Sequence, residues 1–209
     1  MYVITTYDWV PGFARDYVRD LRIRWACEEA GQPYRIETTS VREKTAQHFA
    51  RQPFGQVPIL QDGELSLFES GAILLYLGER HEALLPADPQ GRAETQQWLV
   101  AALNTLEPPV MALALARMFD RDEHAAELAL PRLVARLEQL APVLKSRDFI
   151  AAGRFTIADI MLAEVLRIVD SLGELAGHPV LVDYMRRMTA RPAFRRAHDA
   201  QLAHFEEAA

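Results

Sequence analysis

Tyr2 to Thr5 is a short run of aromatic and β-branched residues, the pattern of a strand. Asp8 to Ala14 holds Trp9, Pro11, Gly12 and Phe13, follows no period and reads as a loop. From about Asp16 to Ala30, Val18, Leu21 and Trp25 recur at helical spacing, and Gly31 stands where a C-terminal cap belongs. Tyr34 to Glu37 predicts a second strand and Thr45 to Ala50 a short helix. Val57 to Leu60 and Leu65 to Phe68 predict two more strands, joined through Asp62-Gly63 as a hairpin. A third helix covers Ser70 to Arg80. The order β-α-β-α-β-β-α lets the first two strands pair in parallel across a helix and ends in an antiparallel hairpin.

The texture then changes. His81 to Gly91 carries two prolines and a glycine and reads as a linker. From Arg92 onward the pattern is helical, rich in alanine and leucine, with no convincing strand. Pro108-Pro109 is expected to kink or break the helix that starts near Arg92. Thr156 with Asp159 three residues on resembles a capping box. The last helices are expected over Pro179 to Ala190 and Pro192 to Glu206, each with proline early in the helix. The chain therefore divides into an α/β domain over 1–81, a linker over 82–91 and an all-helical domain over 92–209.

With 209 residues, 50% hydrophobic and 25% charged, the composition is that of a globular protein. A net charge of −6 gives no electrostatic reason to seek nucleic acid or anionic lipid. One cysteine, Cys27, allows no intrachain disulfide. The N-terminus lacks the basic start and apolar stretch of a signal peptide, and no run approaches the ~20 apolar residues of a membrane span. A cytoplasmic location and no membrane association are the expectations.

Several chemistries find no support. The histidines form no i, i+4 pair and no cluster with cysteine, so no metal is expected. No glycine-rich loop joins a strand to a helix, and there is no G-x-S-x-G elbow. Arg186, Arg187, Arg191, Arg195 and Arg196 read as a solvated helix face. Two segments stand out. In Phe54-Gly55-Gln56-Val57-Pro58-Ile59-Leu60, a proline heads an apolar strand. It marks either a plain edge strand or a cis Val57–Pro58 bond that leaves the Val57 main chain open to an extended peptide. In Phe68-Glu69-Ser70-Gly71, Glu69 and Ser70 lie where a strand passes into a helix. Ser70 either caps that helix, or the helix start holds a ligand carboxylate while Glu69 faces its ammonium.

FGQVPIL, the hairpin and FESGAILLYLGER together resemble the glutathione-binding half of cytosolic glutathione S-transferases. LRIRWACEEAGQPYRIE upstream and GRFTIADIMLAE downstream extend the likeness over nearly the whole chain. The resemblance implies a thioredoxin-like N-terminal domain with an all-α C-terminal domain. It implies a cis Pro58 and a Val57 main chain that pairs with the cysteine of glutathione. It places the γ-glutamyl carboxylate on Ser70 and nearby amides, and the ammonium at Glu69. Gln56, with Arg51 and His48, lies in the region that meets the glycine end. The implied activity is that of a homodimeric transferase, with glutathione as co-substrate and no metal. It would activate the thiol against a small hydrophobic electrophile held by Trp9, Phe13 and the helix over 92–119. A non-catalytic glutathione-binding or protein-interaction member of the fold is the alternative, and glutathione-dependent reduction, peroxidation or isomerisation would use the same thiol site.

The family needs a group that stabilises the thiolate, because a free thiol is mostly protonated at neutral pH. Counting back from Gly31 puts Arg19 and Asp20 where many members carry serine or cysteine, and the segment Tyr7 to Tyr17 is longer than usual. Tyr7, immediately after strand 1, is the first candidate donor and Tyr17 the second, with Thr6 a further hydroxyl. The competing source is the amides of helix 1 with Arg15 or Arg19. Cys27 is expected in the core.

Overall fold

The computed structural model describes residues 1–207. They fall into two compact units, residues 1–84 with the C-terminal segment from Arg191, and residues 85–190. The final helix, which helical texture alone groups with the second half, thus clusters with the first unit.

The first unit carries β1 (Tyr2–Tyr7), α1 (Asp20–Glu29), β2 (Tyr34–Thr39), α2 (Ala46–Arg51), β3 (Ile59–Asp62), β4 (Leu65–Phe68) and α3 (Ser70–Arg80), and ends in α9 (Pro192–Glu207). The strands form one sheet in the order β2-β1-β3-β4. β1 runs parallel to β2, and β3 is antiparallel to both β1 and β4. Ile4, Ile59 and Leu60 of the sheet and Leu21, Ile23, Trp25, Ile73 and Leu74 of α1 and α3 are at most 1% exposed and form the core.

Two expected boundaries move for physical reasons. β3 starts at Ile59, not Val57, because Pro58 has no N–H for the ladder. α1 starts at Asp20, not Asp16. Residues Gly12–Tyr17 form a separate 3-10 helix, and Val18 between them is extended at φ −68°, ψ 128°. The Val18 carbonyl accepts from the Gln201 side chain at 2.9 Å, which fixes that extended residue beneath α9. At the other end of α1, Gly31 takes φ +64°, and Gln32 N–H bonds the Cys27 carbonyl at 2.8 Å, the expected left-handed cap.

The second unit carries α4 (Pro89–Ala101), α5 (Glu107–Ala114), α6 (Glu123–Leu144), α7 (Ile157–Ser171) and α8 (Pro179–Thr189). Pro108-Pro109 does not break the chain's helical course. A π-helical turn over Ala102–Leu106 precedes α5, so both prolines fall in its first turn, where missing N–H groups cost least. The run Pro89–Asp120 is, by length and composition, apolar enough to cross a membrane, contrary to the expectation that no run approaches one. Here the run is partly buried: α4 and α5 contact α7, and α5 contacts α6, while Val100, Leu115 and Phe119 stay exposed.

The capping box forms as expected: Thr156 caps α7, and Asp159 accepts from Thr156 N–H at 2.9 Å. Asp159 also accepts from Ile150 N–H at 2.9 Å and from the buried Tyr184 hydroxyl of α8 at 2.7 Å. Asp159→Ala leaves two buried N–H groups and the hydroxyls of Tyr184 and Thr156 without this acceptor. A loss of roughly 3 kcal/mol in unfolding free energy is expected, and thermal denaturation of the variant measures it.

Candidate functional site

The sheet register gathers the singled-out segments. Ile59 pairs with Thr5 of β1 on one side and with Phe68 of β4 on the other. Val57-Pro58, just before Ile59, and Glu69-Ser70, just after Phe68, therefore share one end of the sheet with the C-terminal end of β1. The Val57–Pro58 bond is cis. Val57 and Pro58 are buried and Gln56 is exposed.

His48 does not face solvent. It is 5% exposed and hydrogen-bonds the backbone of Gln56, so it shapes the approach to Val57 from behind. Burial holds its imidazole below the usual range, helped by Lys44, so it is neutral. Arg51 is turned to the sheet, with a bond to the Thr5 hydroxyl at 3.3 Å and an ion pair to Glu37 at 3.7 Å.

At the start of α3 the structure decides against a capping serine. Glu69 is the N-cap residue and its side chain makes no cap bond; Ser70 is the first helical residue. Glu69 takes φ +69°, a left-handed conformation that costs a non-glycine residue about 1 kcal/mol or more and marks functional turns. The turn exposes the Glu69 carboxylate while Ser70 stays 4% exposed. Arg22 of α1, itself buried, donates from Nη1 to Ser70 Oγ at 3.1 Å.

Tyr7 ends β1, half-buried, and packs with Val10, Ala14, Val18, Val57 and Phe205. It thus packs against the cluster that contains Val57, the residue just before the cis proline. Burial pushes its phenol above the usual range against the pull of Arg19, so the hydroxyl keeps its proton and can donate. The Lys44 ammonium sits 4.8 Å over the Tyr7 ring; burial lowers its pKa, opposed by Asp8. Tyr17 ends the 3-10 segment and Arg19 is the N-cap of α1, without a side-chain cap bond. Thr6 is fully buried within β1, which removes its hydroxyl from any surface ligand. Arg42 stacks over the Trp9 ring at 5.0 Å, and Phe13 is 45% exposed.

The C-terminal helix pins this whole segment. His204 Nε2 lies 2.9 Å from the Tyr7 carbonyl, and His198 Nε2 2.7 Å from Asp16. Gln201 bonds the Asp20 carboxylate at 2.7 Å, and Asp20 pairs with Arg24 at 2.7 Å. The arginines expected on a solvated face include Arg191, which forks onto Glu29 at 2.6 and 2.8 Å, and Arg196, which meets Glu28 at 2.7 Å. Those two tie α9 to α1.

The arrangement can therefore hold a zwitterionic amino-acid end at Glu69-Ser70, an extended main chain at Val57, and a polar hydrogen acceptor near Tyr7. Arg22, Lys44, Gln201 and His204 escaped the sequence reading. Arg22 and Arg24, charged residues inside an otherwise apolar helix, carried a signal; the α9 residues carried none, because their partners are some 180 positions away.

The family model described as the glutathione S-transferase N-terminal domain matches residues 4–79, and the C-terminal domain of the same family matches residues 103–192. A probable glutathione S-transferase of Oryza sativa subsp. japonica is 35% identical over 145 residues, 64% of this chain and 67% of that protein. Glutathione S-transferase 4 of Zea mays is 28% identical over 188 residues, 80% and 82% of the two chains. Among solved structures, a possible glutathione S-transferase from Rhodopseudomonas palustris superposes with a TM-score of 0.80 at 29% identity, covering 93% of this chain and 88% of that one.

Cys27 lies on the inner face of α1, 1% exposed, where burial and then Glu28 push its thiol up to about 12. It is a core residue with almost no thiolate at neutral pH. The folded protein is expected to resist iodoacetamide at pH 8 and to be alkylated at Cys27 only once unfolded, as read by mass spectrometry.

Proposed function

We propose, from the premise that the chain belongs to the glutathione S-transferase family, that it binds glutathione and turns its thiol on a small hydrophobic electrophile. The observation that carries this reading is the convergence of Val57-Pro58, Glu69-Ser70 and Tyr7 at one end of the sheet. Ser70 and the first amides of α3 would hold the γ-glutamyl carboxylate and Glu69 the ammonium. The Val57 main chain would pair with the cysteine residue of the tripeptide, and exposed Gln56 would meet its glycine end. Trp9 and Phe13 offer apolar surface to the electrophile. Among the described residues, no group of three or more His, Cys, Asp or Glu side chains is placed to hold a metal ion.

Tyr7 is the group we assign to the sulfur. Its phenol is protonated, half-buried and packed beside Val57. A charge-assisted hydrogen bond of ~1.4 kcal/mol lowers a thiol pKa by one unit, enough to multiply the thiolate fraction about tenfold. The α1 amides are a weaker source, because the buried Asp20 carboxylate stands in the first turn of that helix. That same carboxylate is the observation favouring a second reading, a member of the fold that binds glutathione without turning it over.

Calorimetry with glutathione, alongside turnover with a panel of electrophiles and peroxides, separates the two. Tight binding with no turnover selects the second reading, and no binding removes both. Tyr7→Phe is expected to raise the bound thiol's pKa by about one unit and to lower turnover roughly tenfold with little change in glutathione affinity. Equal thiol titration in the parent, Tyr7→Phe and Tyr17→Phe proteins would move the role to the loop backbone and to Arg15 or Arg19.

A two-fold dimer belongs to the same reading. Phe54 is 70% exposed and Phe49 47%, and Leu128 of the second unit is 59% exposed, surfaces a second copy would cover. Sedimentation at micromolar concentration is expected to give a dimer, and Phe54→Ser is expected to shift it toward monomer.

A further inference from the structure

Tyr7 is the last residue of β1, and beyond it the chain leaves the sheet for a loop and a 3-10 helix. A strand end of this kind frays unless both sides of its last peptide are held. β2 holds one side: Asp8 N–H donates to the Thr39 carbonyl at 2.9 Å. The Tyr7–Asp8 peptide is trans, so the Tyr7 carbonyl points the opposite way, to the side of β3. β3 begins only at Ile59, which pairs with Thr5, so the regular ladder stops two residues short of Tyr7. His204 of α9 stands there instead, its Nε2 2.9 Å from the Tyr7 carbonyl oxygen. A carbonyl only accepts, so Nε2 carries a proton and His204 is the donor.

The contact belongs to a whole face of α9. His198, Gln201, His204 and Phe205 fall at i, i+3, i+6 and i+7 of one helix. His198 meets Asp16, and Gln201 meets Val18 and Asp20. The Phe205 ring, 1% exposed, sits in the cluster that Tyr7 packs against, 4.9 Å from the His204 ring and edge-on to it. The imidazole is thus held from its own helix, and it holds the Tyr7 main chain in turn. What this fixes is the origin of the phenol's reach. Catalytic contacts work when held to within about 0.5 Å of the productive geometry.

We propose that His204 is a positioning residue for the thiol: by donating to the Tyr7 carbonyl it holds the end of β1 where the Tyr7 hydroxyl meets the glutathione sulfur. This rests on the assignment of Tyr7 to the sulfur. Glu69-Ser70 is set by β4 and α3 and not by α9. The effect of His204 is therefore on the sulfur, with recognition of the amino-acid end left as it is.

The test titrates the bound thiol, by the ultraviolet absorbance of its thiolate, in the full chain saturated with glutathione. His204→Phe keeps an aromatic ring and removes the donor; His204→Gln keeps a side-chain N–H. His204→Phe is expected to raise the bound thiol's pKa by about half a unit to one unit and to lower kcat about 3- to 10-fold. Calorimetric affinity for glutathione and KM should stay within about 2-fold of the parent, since the amino-acid end is recognised as before. His204→Gln is expected to keep the parent pKa to within about 0.3 unit. In a Tyr7→Phe background, His204→Phe should move the pKa no further, because no hydroxyl is left to place. His204→Ala, at a partly buried position, makes the same comparisons if His204→Phe fails to fold.

A merely structural histidine gives a different result: the melting temperature falls while the thiol titration and kcat stay where they were. That outcome overturns the proposal. So does a shift of the same size in the Tyr7→Phe background, and so does a loss of glutathione affinity as large as the loss of kcat. Failure of the assignment beneath it is seen separately. If Tyr7→Phe alone leaves the titration unchanged, or the unsubstituted protein binds no glutathione, the proposal falls with that reading.

Discussion

Ile59 pairs on both sides at once, with Thr5 and with Phe68, and the placement of the candidate site depends on that double pairing. An interior strand in a sheet with a buried face cannot slip by one residue without turning its apolar set outward. Ile59 and Leu60, both at most 1% exposed, make that slip prohibitive here. Because the register is fixed, the residues just outside it are fixed as well. Pro58 offers no N–H, so the ladder stops there and Val57 stays outside β3. On β4 the strand ends at Phe68, and the next residue turns through φ +69° into α3. Two segments ten residues apart in sequence are thereby delivered to one edge by backbone pairing alone.

The other side of the site is set by side chains, from a distance. Residues 7 to 20 form a strand end, a loop, a 3-10 helix and one extended residue, a path with little regular hydrogen bonding of its own. α9 supplies what is missing. Its His204, Gln201 and His198 reach Tyr7, Val18, Asp20 and Asp16, and Phe205 fills the apolar space among Val10, Val18 and Val57. The Asp20–Arg24–Gln201 group is buried and ionic, an arrangement that seldom adds net stability. It does something an apolar contact cannot do: its directional bonds, from Arg24 and Gln201 to Asp20 and from Gln201 to the Val18 carbonyl, are made in one geometry, and so they help to specify where α1 begins.

These two parts differ in how far the sequence disclosed them. The strands, the hairpin at Asp62-Gly63 and α3 from Ser70 to Arg80 follow from local alternation and turn chemistry, and the structure agrees closely. The capping box at Thr156 and Asp159 was legible for the same reason, since its partners are three residues apart. Val57, Pro58, Glu69 and Ser70 could be named because each sits at a break in a local pattern. The start of α1 could not be placed. Val18, Leu21 and Trp25 keep helical spacing straight through the extended residue, while distant partners, Gln201 on its carbonyl and Phe205 in its apolar cluster, meet Val18 outside the helix. Pro108-Pro109 misled in the opposite direction: proline chemistry forbids an ordinary α-helix there, and the π turn before it restores a continuous course that no local rule announces. Ser70 was legible as a residue of interest but not in its partner, because Arg22 is 48 positions away.

On the glutathione reading, the two ends of the ligand meet two kinds of environment, and that difference bears on how binding and turnover relate. The amino-acid end meets charge and fixed donors: the exposed Glu69 carboxylate, the buried Ser70 hydroxyl and the uncapped amides of α3. Those groups complement the same zwitterion before and after the sulfur reacts, so they contribute uniform binding and cannot by themselves accelerate chemistry. The thiol end meets a half-buried phenol beside an apolar cluster, under a partly desolvated Lys44 ammonium. A donor and a cation in that setting favour the thiolate over the thiol, a preference that acts on reactivity. The first environment is anchored in the sheet register and α3, the second in the segment held by α9. Changes in α9 or in residues 7 to 20 can therefore alter the chemistry while the strand edge that recognises the ligand stays intact, and a fold divided in this way can keep a ligand while its reactivity is retuned or lost.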